Sequence, residues 1–86
     1  MKLNENFVVQ EIDGTQFLVS IGGEGFGGLV RSNPTAAFIV DQLREERSAA
    51  EIVDAMCRRY DAPREVIAAD VEEILSVLRG IGALKE

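Results

Sequence analysis

The stretch "GLVRSNPTAAFIV", residues 28–40, is where the chain changes its hydrophobic period. Up to Ser32 its short apolar run reads as a strand, Gly28 to Ser32. Asn33-Pro34 then forces a new direction. An Asn at the N-cap accepts a hydrogen bond from an orphan amide of the first turn, and Pro at the first helical position supplies the φ the helix needs. From Pro34 onward small and large apolar residues fall at helical spacing. Everything before Asn33 therefore reads as strand and everything after it as helix.

Working back toward the N-terminus, Phe7 to Ile12 and Thr15 to Ile21 are short β-branched and aromatic runs. Asp13-Gly14 separates them, a pair that favours the two-residue type I′ hairpin because both positions tolerate positive φ. With the third run the expectation is a three-stranded antiparallel sheet.

Working forward, a first helix is expected from Pro34 to about Arg44, carrying Phe38, Ile39 and Leu43. Ser48-Ala49-Ala50-Glu51 is a capping box, in which the Ser oxygen and the Glu carboxylate each satisfy a free backbone N–H. The second helix it opens has an apolar face of Ala49, Ile52, Val53, Met56 and Tyr60. After Pro63 a third and longest helix carries Ile67, Val71, Ile74, Leu75, Leu78 and Ile81, one core-facing stripe at helical spacing. Gly80 and Gly82 are expected to loosen its end. The order of elements defines an α+β fold, a winged helix-turn-helix in which a three-stranded antiparallel sheet is followed by a three-helix bundle, all within one domain of 86 residues.

Gly22, Gly23, Gly25, Gly27 and Gly28 are five of the chain's eight glycines. They do not form a phosphate loop. Such a loop lies between a strand and a helix N-terminus and usually carries a Lys, whereas these glycines lead into another strand beside Glu24. They leave the approach to the third strand free of side-chain bulk. In a three-stranded meander that strand is an edge with unpaired N–H and C=O groups, able to take up another chain by strand addition.

Charge narrows the partners. Fifteen Asp and Glu against nine Lys and Arg, with no His, leave a net charge of −6, a field that repels nucleic-acid phosphates and anionic membranes. One cysteine and no histidine cannot build a metal site, and no cofactor is expected. The N-terminus lacks a signal-peptide pattern and no run approaches a membrane span, so the expected location is cytoplasmic. Catalysis is not expected either. Cys57 sits beside Arg58 and Arg59 with no base to activate it, and Glu72 and Glu73 are adjacent, hence on diverging helix positions.

The segment "GLVRSNPTAAFIVDQL", the helix "SAAEIVDAMCRRYDAP" and the terminal "DVEEILSVLRGIGALKE" together resemble the PqqD-like family, the RiPP recognition elements that act as precursor-peptide chaperones. Gly28, Asn33, Thr35, Ala36, Phe38, Tyr60, Asp61, Asp70, Val71, Leu78, Gly82 and Leu84 stand at the family's characteristic places. Ser32 departs from its usual Leu, the glycine-rich loop is longer, and no Trp is present. The resemblance implies a non-enzymatic protein that binds the leader peptide of a ribosomally made precursor as an added strand. It would present that leader to a separate modifying enzyme, of radical SAM or peptidase/cyclase type. The implied peptide-binding residues are Gly28, Leu29, Val30, Arg31 and Ser32 on the strand, with Val66, Ile67, Asp70, Val71, Ile74, Val77 and Leu78 on the third helix.

On that helix a second row, Val66, Asp70, Glu73 and Val77, runs beside the core stripe and reads either as a solvated flank or as one rim of a leader groove. Arg31 reads either as an edge-protecting charge or as a partner for an acidic leader residue. Two other uses of the scaffold are a DNA-binding module and a dimerisation module forming a homodimer through the same edge. Against DNA, Arg64 and Arg79 are outnumbered in the third helix by Glu65, Asp70, Glu72 and Glu73.

Overall fold

The computed structural model describes residues 1–20, 33–86 and, as backbone, 29–31. The elements are β1 (Lys2–Leu3), β2 (Phe7–Ile12), β3 (Thr15–Ser20), β4 (Leu29–Arg31), α1 (Pro34–Gln42), α2 (Ala49–Arg59), α3 (Arg64–Gly80) and β5 (Leu84–Lys85). Gly28, Ser32, the glycine-rich loop and Ile21 lie outside the described residues.

The fold is α+β, with three helices and short antiparallel strands. The strands, expected as a single three-stranded sheet ahead of the helices, instead fall into two sheets, β2-β3-β4 and a separate pair β1-β5. Lys2 pairs with Lys85 and Leu3 with Leu84, so strand structure also follows the helices. Two-residue strands with no hydrophobic alternation leave no periodic signal, so the pair is not legible in the sequence.

Local chemistry sets most boundaries. Asp13 and Gly14 have φ of 51° and 78°, the double positive φ of a type I′ turn. Asn33 Oδ1 accepts from the Ala36 amide at 2.8 Å and Pro34 opens α1. That helix stops at Gln42, two residues short of expectation, because its last turn tightens: the Leu43 amide is shared between Ile39 and Val40, and Arg44 bonds back to Asp41. Ser48 Oγ accepts from the Glu51 amide at 3.1 Å, and Glu51 Oε1 accepts from the Ser48 amide at 2.8 Å. That bond from the Ser48 backbone holds the Glu51 carboxyl below its ordinary range.

The end of α3 corrects one expectation. Gly82, at φ 78°, does not loosen the helix but closes it. The Ala83 amide donates to Leu78 O at 2.8 Å and the Gly82 amide to Arg79 O at 3.1 Å, the paired bonds of a Schellman cap. The cap buries Ala83 fully and turns the chain toward β1, where the Asn4 amide donates to Ala83 O at 2.7 Å. The Leu3 amide donates to Leu43 O at 2.8 Å, tying this pair to the end of α1.

One core joins the layers. Ile39, Val40 and Leu43 of α1 and its cap meet Ile52, Val53 and Met56 of α2 and Ile67, Val71, Leu75 and Leu78 of α3. Phe7 and Leu18 close it from the sheet. Each large buried side chain contributes about 1.5–3 kcal/mol of transfer free energy, and these are the terms that hold the sheet on the helices. Phe38 meets Tyr60 edge to face, with centroids 5.9 Å apart and planes at 80°, which fastens α1 to the end of α2. Among the described residues no helix is long and apolar enough to cross a membrane.

Candidate functional site

β4 pairs with β3 on one side only, and among the described residues no strand occupies its other side. Which of its backbone groups face that free side follows from the hairpin. Across a two-residue turn the flanking residues, Ile12 and Thr15, form a hydrogen-bonded pair. Alternation then makes Gln10 with Phe17 and Val8 with Val19 hydrogen-bonded pairs, so Thr15, Phe17 and Val19 direct their backbone groups toward β2. Gln16, Leu18 and Ser20 direct theirs toward β4. The Phe7 amide fits this scheme, since it leaves the hairpin to meet Asn4 O at 2.9 Å.

In the β3–β4 register Leu18 faces Val30, Val19 faces Leu29 and Phe17 faces Arg31. Val30 is therefore the residue whose N–H and C=O bond to β3. Leu29 and Arg31 turn theirs to the open edge. Val30 shares a register position with Leu18, which is buried on the helix-facing side of the sheet, and Leu29 and Arg31 hold positions on the other face.

Where the chain passes from β4 into α1, a cleft of about 260 Å³ opens between the start of α1 and α3. Asn33 and Thr35 form one wall; Asp70, Glu73, Ile74 and Val77 form the other. The α3 wall consists of two rungs, Asp70 with Glu73 and Ile74 with Val77, each an i, i+3 pair on one helix face. Val77 is 54% exposed, a large apolar side chain left in water beside two exposed carboxylates. Among the described residues neither carboxylate has an ion-pair partner. The arginines at the two ends of the same helix are both engaged, Arg64 with Asp54 at 2.6 Å and Arg79 with Glu86 at 3.1 Å. The Arg64 guanidinium is held above its ordinary range by that hydrogen bond to Asp54.

The sequence-derived set thus divides. Asp70, Ile74 and Val77 come together in the cleft, facing Asn33 and Thr35 at the start of α1. Ile67, Val71 and Leu78 are buried at 3%, 0% and 4% exposure, because the i, i+4, i+11 row they form is the one α3 turns onto α2 and the sheet. They hold the wall in place from behind. Val66 is exposed but outside the cleft, one turn before Asp70. Gly28 and Ser32 lie outside the described residues. Asn33 and Thr35 stand in the sequence as helix-start and family-pattern residues; nothing local in the sequence reveals that they face α3 across a cleft.

An α+β fold with an open strand edge and a helix-walled cleft is a scaffold suited to taking up an extended peptide. The family model described as Coenzyme PQQ synthesis protein D (PqqD) matches residues 7–84, and the chain belongs to that family. Two solved structures are similar over almost the whole chain. One, described as TbiB1 in complex with the TbiA(beta) leader peptide, has a TM-score of 0.84 and 26% identity and covers 99% of this chain and 95% of its own. The other, a lasso peptide synthetase B1 complexed with the leader peptide, has a TM-score of 0.80 and 22% identity, covering 99% and 96%. Comparison with curated protein sequences finds no significant match.

Proposed function

We propose that this protein is a non-catalytic recognition element, built on a winged helix-turn-helix scaffold, for a ribosomally synthesised, post-translationally modified peptide. It binds the leader segment of the precursor by adding it as a strand to β4 and holds it for a separate modifying enzyme. The observation that carries this reading is the pairing of β4 on one side only, together with a cleft on α3 whose other wall begins at Asn33, two residues after β4. Membership of the PqqD family and the likeness to a leader-bound protein support it.

Backbone bonds give a general hold on extended peptides, at about 0.5–1.5 kcal/mol each, too little alone to overcome the cost of association. The apolar rung of Ile74 and Val77 supplies what the ladder lacks, by taking a hydrophobic leader side chain out of water. Nucleic acid fits the same surface poorly: both arginines of α3 are already paired with carboxylates, and the cleft itself is acidic. Chemistry on the precursor falls to the partner enzyme.

Calorimetric titration with the leader and the core segment of a co-encoded precursor, as separate peptides, tests the proposal. Binding of the leader alone is expected; equal binding of both segments, or of neither, would overturn it.

A further inference from the structure

Resting on the leader-binding reading above, we infer that the cleft selects a leader carrying a Lys or Arg two residues from its hydrophobic anchor. A strand added to β4 sends every second side chain to the helix-facing side, so its cleft-facing residues recur about every 6.8 Å. On α3 the apolar rung, Ile74 with Val77, and the acidic rung, Asp70 with Glu73, are offset by four residues, about 6 Å along the helix axis. A leader that runs along α3 and is anchored on one rung brings its next cleft-facing side chain to the other.

That second position holds two exposed carboxylates, with no ion-pair partner among the described residues, on a chain of net charge −6. A carboxylate of the leader is repelled there and a cation is attracted. Asn33 and Thr35 on the facing wall offer hydrogen-bonding groups without adding positive charge. The acidic rung thus acts as a specificity determinant, and the apolar rung as the main source of affinity.

Selection of a displayed library of random peptides against the intact protein at low ionic strength tests this. Anisotropy titrations of the best peptide and of its Lys/Arg→Gln counterpart then follow, against the wild type, the double variant Asp70→Asn with Glu73→Gln, and Arg31→Pro. Selected peptides should carry a basic residue two positions from a large apolar one. The Gln counterpart should bind the wild type about two- to fivefold more weakly, the range of an exposed ion pair. That difference should vanish in the double variant and shrink as salt is raised. Peptides that bind equally in the Lys/Arg and Gln forms, while losing affinity for Arg31→Pro, would overturn the cation preference and leave the docking edge standing. Peptides that bind Arg31→Pro as well as they bind the wild type would overturn the docking edge, and with it the spacing on which the preference rests.

Discussion

Two adjacent faces of α3 have the same helical geometry and opposite uses. Ile67, Val71, Leu75 and Leu78 are buried in the core shared with α2 and the sheet, whereas Asp70 and Val77, each one residue before a member of that row, and Glu73, two residues from it, are exposed and line the cleft. A turn of 100° per residue is enough to separate a stability row from a recognition row. Ile74 stands at the boundary, half-buried, packed on the core from one side and open to the cleft on the other. Side chains on the buried row answer to packing. Those on the exposed row are free to answer to a ligand, because changing them leaves no cavity.

The contrast breaks most visibly at the buried row. Leu78→Ala should lower folding stability by about 2–5 kcal/mol through lost burial and a cavity, measured by urea unfolding. A loss below 1 kcal/mol, within the range of a surface change, would mean the row is not the core.

Next come two proline replacements on β4 that the hydrogen-bond alternation sets apart. Val30→Pro removes the amide that bonds to β3 and should cost about 1–3 kcal/mol of stability. Arg31→Pro removes an outward amide, so the protein should keep its circular dichroism spectrum while binding the leader roughly tenfold more weakly, about 1.4 kcal/mol. The reverse pattern would show that the edge is phased the other way.

On the exposed row, Val77→Asp should leave the melting temperature within a degree or two, since surface changes are usually within about 0.5 kcal/mol. It should also weaken leader binding several-fold, by placing a charge where an apolar anchor docks. Normal binding by a folded Val77→Asp protein would remove α3 from the site.

The smallest expected effect lies away from both rows. Ser48→Ala should cost about 1 kcal/mol through loss of the α2 cap and leave leader binding unchanged. Because the Glu51 carboxyl is held below its ordinary value of 4.5, its side of the capping box stabilises the fold above that value. The contribution is lost as pH falls through the lowered one. A Glu51→Gln variant, which keeps an acceptor for the Ser48 amide but no titrating carboxyl, should show a weaker dependence in that range, followed by thermal melts at successive acid pH values. An unchanged dependence would assign the acid sensitivity to groups other than Glu51.

Much of this molecule is legible residue by residue. The Asp13-Gly14 turn, the Asn33-Pro34 helix start, the Ser48–Glu51 capping box and the buried row of α3 each follow from chemistry confined to a few neighbours. Once the turn type is known, even the phase of the β4 edge follows from the register, though the register itself belongs to the folded sheet. Other features depend on groups far apart in sequence. The β1–β5 pair joins residues 2–3 to residues 84–85, through a Schellman cap in which Gly82 matters for what it makes possible downstream. The cleft joins the start of α1 to residues 70–77 of α3, more than thirty residues away, and puts Asn33 opposite Asp70, Glu73 and Val77. Periodicity marks which residues can face outward; which of them share a cleft is settled by the angle at which α1 and α3 pack, a property of the core as a whole.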